Sequence, residues 1–235
     1  MLSRFVMPVT ELVRGDQQQA IREFYAVLVH TSSTHAGLEY SIRPWRDRDF
    51  SRSLAPHGWF AAEYCNLLRN MMVREEGDNL HLLSAVSPVW IGSGKSLRVE
   101  RAETNLGTVG FNLQMPSSNK AELSLQTEFA PAHAPAKMIL HLPWLMNISR
   151  VEVDGKPVTP IKRQVELSPS AESVRIVWTR RPLASGTPSS YKDAVERYKH
   201  EYARGYQTLN GAGQGKKISL TADLFPISIS KNSSR

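Results

Sequence analysis

Two stretches in the first third of the chain place apolar residues at helical spacing. Ile21, Phe24, Tyr25, Leu28 and Val29 follow the i, i+3, i+4, i+7, i+8 rule and share one stripe of a helix over residues 15–29. Asp16 stands at the N-cap position, where a carboxylate can accept from a free first-turn N–H. After a loop rich in Ser, Thr, Arg and Asp, the stripe repeats over residues 57–74 at Phe60, Tyr64, Leu67, Leu68, Met71 and Met72. Pro56 and Gly77 are the start and stop signals of this second helix.

From Leu80 the period drops to two. Runs at 81–86, 97–104, 109–115, 121–129, 138–142, 151–153, 165–167 and 174–178 are separated by Gly, Pro, Asn and Ser. Asp154-Gly155 between Val153 and Val158 predicts a tight hairpin turn. About eight strands at this spacing predict an antiparallel β-sandwich, so the fold class is α+β, helices first and sandwich after. The expected organisation is a helical segment over 1–79, a sandwich domain over 80–181 and a flexible basic tail over 182–235, with a polar helix at 191–209.

Composition changes this picture in two places. The net charge of +7 invites a nucleic-acid reading, but from Arg180 onward ten Lys/Arg face four Asp/Glu, so six of the seven charges lie in the tail. The folded body is nearly neutral, and nucleic acid is not expected as its partner. Cys65 is the only cysteine, which excludes an intrachain disulfide and a cysteine metal cage. It lies within the second helix without a histidine at catalytic spacing and is expected to pack, not to react. Apolar stretches stop well short of the roughly 20 residues that cross a bilayer, so a soluble protein with no membrane partner is expected. No signal peptide is read at the start, and the compartment stays open.

Three stretches resemble the end of the catalytic region in six-hairpin, (α/α)6-barrel glycoside hydrolases, the group of α-L-rhamnosidases and some α-L-fucosidases. Thr34-His35-Ala36-Gly37-Leu38-Glu39-Tyr40 resembles the loop that carries a carboxylate into the sugar site. Ala55-Pro56-His57-Gly58-Trp59-Phe60-Ala61-Ala62-Glu63-Tyr64 is similar to the start of the last barrel helix, and the segment from Glu76 to Trp90 resembles the passage into a C-terminal sheet domain. The resemblance spans about residues 15–180 and implies a carbohydrate-acting hydrolase. It also implies that most of the barrel is missing, since only two barrel helices of six hairpins are seen. Either the rest of a parent enzyme or self-association is then the expected partner. No turnover is expected from this chain alone.

Glycoside hydrolysis needs two carboxyl groups flanking the bond. By the resemblance Glu39 is the candidate for one of them, among His35, Tyr40, Arg43 and Trp45. His35, Trp45, His57 and Trp59 are the candidate substrate-binding residues, because rings stack on sugar faces and polar groups bind hydroxyls. The bland alternatives stand beside these: Glu39 pairing with Arg43 or Arg46, His57 as a packing residue, and Trp59, Trp90, Trp144 and Trp178 as core or interface residues. His30 and His35 lack a third ligand at suitable spacing, and Gly92-Ser93-Gly94-Lys95 lacks phosphate-loop spacing, so neither metal nor cofactor is expected.

A barrel origin predicts exposed apolar stripes on both helices, with Phe24, Leu28, Leu67 and Met71 only partly covered. A stand-alone carbohydrate-binding sandwich would instead align aromatics on an exposed sheet face. A polyanion- or protein-binding adaptor would work through the tail.

Overall fold

The computed structural model describes residues 2–32, 34–38, 55–181 and 190–211. Helix α1 spans Leu2–Arg14 and carries Pro8 inside it, a residue that removes a backbone donor and hides the helix from a pattern search. Asp16 then accepts from the N–H of Gln19 at 3.0 Å and caps α2, Gln17–Val29. Helix α3 is Gly58–Met72, and strand β1, Val73–Glu76, follows it with no loop. The period therefore changes at Val73, before the Leu80 boundary read from the pattern.

The remaining strands are β2 (Asn79–Leu82), β3 (Ser96–Thr104), β4 (Gly107–Ser117), β5 (Lys120–Glu128), β6 (Lys137–His141), β7 (Met146–Val153), β8 (Lys156–Pro157), β9 (Gln164–Leu167) and β10 (Ser173–Arg180). They form a four-stranded sheet in the order β1-β2-β6-β9 and a six-stranded sheet in the order β3-β4-β5-β10-β7-β8. Asp154 and Gly155 both have positive φ, 47° and 77°, as a two-residue hairpin between β7 and β8 requires. The α+β order of helices before a β-rich domain is as expected, but the sandwich is not purely antiparallel. β2 and β6 run parallel, Leu80 beside Met138 and Leu82 beside Leu140. Strands β3 to β5 lie in the other sheet, so the chain returns to β2 by a long crossover, which a parallel pair needs.

The core between the sheets is filled by the inward positions of both, among them Leu80, Leu140, Val165, Phe111, Leu123, Ile176 and Trp178. Trp90 and Trp144 lie half-buried against it. A second cluster joins the helices: Leu12 of α1, Phe24 and Tyr25 of α2, Leu67 and Met71 of α3, and Ala194 of helix α4, Tyr191–Gly211. Met72 and Trp90 touch both clusters. The side-chain amide of Gln17 ties α2 to the β6–β7 loop, donating to the Leu142 carbonyl at 3.1 Å and accepting from the Trp144 N–H at 3.0 Å.

Two expectations are corrected here. Phe24, Leu67 and Met71 are buried, not partly uncovered, because α1 and α4 help to enclose this stripe. Cys65 is exposed, not packed. It follows Tyr64 by one position, and one residue turns a helix by about 100°, away from the stripe formed by Phe60, Leu67 and Met71.

Candidate functional site

The N-terminus of α3 meets the loop that precedes Glu39. The His57 N–H donates to the Gly37 carbonyl at 3.0 Å, and the His57 carbonyl accepts from Ala61 at 3.2 Å as the helix starts. A Cβ on Gly37 would lie 1.9 Å from the Phe60 ring, so the approach of loop to helix needs glycine. His57 is extended and does not cap with its side chain; its enclosed Nδ1 has no hydrogen-bond partner among the described residues. Trp59 is 72% exposed, with its ring edge-on to His57 at 6.0 Å between centroids. This corrects the core reading of Trp59: the indole stands in solvent beside a half-buried imidazole whose Nδ1 is enclosed, at the positive end of a helix dipole.

His35 is held differently. It takes a positive φ of 60° in a turn closed by the Ser32 N–H on the Ala36 carbonyl at 2.9 Å. Its ring meets Tyr191 of α4 edge-on at 5.4 Å. The structure thus brings His57 and Trp59 together and seats His35 against α4. Glu39 and Trp45 lie outside the described residues, as do Tyr40, Arg43 and the Arg46–Arg52 charges.

Two further groups were not legible as sites in the sequence. On the face of the smaller sheet away from the core, Arg74, Glu76, His81 and His141 cluster. Arg74 is 4%, His81 7% and His141 3% exposed. His81 Nδ1 and His141 Nε2 are 2.9 Å apart, so one donates and the other accepts. Arg74 donates to Glu76, whose carboxylate lies 3.5 Å from His81 Nε2. Burial, then the nearby His81 and Arg74, pushes His141 down to about 4. Burial and Arg74 lower His81 as well, and the hydrogen bond from Arg74 holds Glu76 below the usual carboxylate range. Among the described residues no group of three or more His, Cys, Asp or Glu is arranged to hold a metal ion.

On the outward face of the larger sheet, a groove of about 350 Å³ runs over β4, β5, β10 and β7. Cross-strand neighbours Gln114, Glu122, Arg175 and Glu152 form one row across it, and Asn112, Ser124 and Ser173 the next. The pattern predicts only that these positions alternate with core residues; which strands stand side by side comes from the topology. Outward positions of this sheet carry no aromatic residue among those described, so the aromatic platform of a stand-alone sugar-binding sandwich is not found.

No protein-family model matches the chain, and no curated protein matches it. Among solved structures, a GH127 β-L-arabinofuranosidase from Geobacillus stearothermophilus T6 is similar at a TM-score of 0.33 and 12% identity, over 51% of this chain. The chain spans 18% of that enzyme's length. This weak likeness is to an arabinofuranosidase, not to the rhamnosidase or fucosidase group. No helix among the described residues is long and apolar enough to cross a membrane.

Proposed function

We propose that the chain is the part of a carbohydrate-acting glycoside hydrolase that closes the catalytic barrel and follows it, and that it is catalytically incomplete alone. Glu39 is the carboxylate it contributes, and His35, Trp45, His57 and Trp59 contact the sugar. The observation that supports this best is the seam between the Gly37 loop and α3, where an exposed indole stands beside an unpartnered imidazole. A pyranose or furanose ring offers an apolar face to such an indole and a hydroxyl to the edge of the half-buried His57 ring that stays open, the enclosed Nδ1 being out of its reach. A second observation supports the missing neighbour. The outer face of α3 is also apolar, with Ala61, Ala62, Cys65 and Leu68 exposed along it beside Trp59. A helix that is apolar on both sides belongs between two layers, and the rest of the barrel or a second copy would supply the other.

A single carboxylate lacks the acid partner that hydrolysis requires, so aryl glycosides of L-arabinose, L-rhamnose and L-fucose should not turn over. The free sugars should quench tryptophan fluorescence saturably, and Trp59→Ala should lose that response. Hydrolysis that disappears in Glu39→Gln would overturn the claim of incompleteness. A fluorescence response unchanged by Trp59→Ala, or none with any sugar, would overturn the sugar site.

A further inference from the structure

We propose that the outward groove of the six-stranded sheet is a separate binding surface for a neutral polyhydroxylated chain, an oligosaccharide held by hydrogen bonds instead of ring stacking. The proposal does not rest on the α3 seam. Register puts Gln114, Glu122, Arg175 and Glu152 on one face of four adjacent strands, where neighbours are about 4.8 Å apart. Gln114, Glu122 and Arg175 are planar groups, each able to engage two neighbouring hydroxyls at once, while Glu152, 8% exposed with both oxygens paired, holds Arg175 in place from below.

The charges in the groove are already matched. Glu122 pairs with Lys120 at 2.6 Å and Arg175 at 3.6 Å, and Glu152 pairs with Arg150 and with Arg175 at 3.4 Å. An ionic ligand would have to break these pairs, whereas a neutral one can add to their open lone pairs and N–H groups. The side-chain amides of Asn112 and Gln114 make no hydrogen bond among the described residues, so each presents a donor and an acceptor to the groove. The volume of about 350 Å³ falls in the range of small-molecule sites. Gly155, without a side chain, leaves one end of the groove open, as an extended chain requires.

The test is an amide-resolved NMR titration of the full chain with maltohexaose, xylohexaose and arabinohexaose, and with polyphosphate as a charged control. At least one oligosaccharide should shift the Asn112, Gln114, Ser124 and Arg175 signals saturably and independently of salt. Asn112→Ala with Gln114→Ala should weaken it at least about tenfold, since two net hydrogen bonds are lost. Both side chains point outward, so the unfolding midpoint should hold; Gln114→Arg, which fills the groove, is the second variant and should abolish binding. No saturable shift on this face with any of the three, or binding of polyphosphate in their place, would overturn the proposal. Shifts confined to residues 34–60 would overturn it while leaving the α3 seam standing, and shifts confined to the sheet would do the reverse.

Discussion

Lowering the pH from 6.5 towards 4 destabilises the protein, and His141→Gln removes most of that loss. His141 ionises near 4 in the folded chain because it is buried beside His81 and Arg74, whereas in the unfolded chain it ionises near the ordinary value of about 6.5. Between these limits the unfolded state binds a proton that the folded state refuses, so stability falls as pH falls. A gap of this size corresponds to roughly 3 kcal/mol. His81 is lowered too and acts in the same direction. Glu76, whose folded value is depressed, adds its own loss only below the usual carboxylate range. Burial raises Glu23, so its folded form takes up a proton above the ordinary carboxylate value and offsets part of the histidine loss in that window. Urea midpoints measured from pH 7 to 4 would check this. A wild-type curve that stays flat between 6.5 and 4.5, or a fall of equal size in His141→Gln, would sink it.

Met71→Ala and Trp178→Ala each lower one and the same unfolding transition. Met71 is 0% exposed in the helical cluster and Trp178 2% exposed between the sheets. Truncating them costs about 2–5 and 3–5 kcal/mol, the transfer energy plus the cavity left behind. The clusters share Met72 and Trp90, and Gln17 clamps α2 to the β6–β7 loop, so helices and sheets should unfold together. Hydrogen exchange should then protect the amides of α2 as well as those of β10. An early, separate transition of the helices in Met71→Ala, with the sheet transition unmoved, would contradict this. It would mean that the contacts through Met72, Trp90 and Gln17 do not couple the helices to the sheets.

Several elements were legible because local chemistry decides them. Asp16 caps α2 because its carboxylate reaches a first-turn N–H wherever the helix goes. Asp154-Gly155 turns the chain because both positions take positive φ. α1 was missed because Pro8 interrupts its pattern, and β1 because Val73 and Arg74 continue the spacing of α3 closely enough to be read as its last turn. For the candidate site, the residue types at His57 and Trp59 were legible, but not that one ring would be half-buried with its Nδ1 enclosed and the other exposed. That depends on how α3 is rotated against the Gly37 loop.

The sequence alone determined the α+β class and the placing of most of the net charge in the tail. Those follow from hydrophobic period and charge, which act over a few residues. Only the tertiary structure decided that β2 lies parallel to β6, and hence that His81 meets His141 across 60 positions. It also decided that Gln114, Glu122, Arg175 and Glu152 line one groove and that α1 and α4 help to enclose the helical stripe. Backbone hydrogen bonds are the same for any partner strand, so pairing is set by which assembly buries the most apolar surface at once. That sum extends over the whole chain and cannot be read from any one segment.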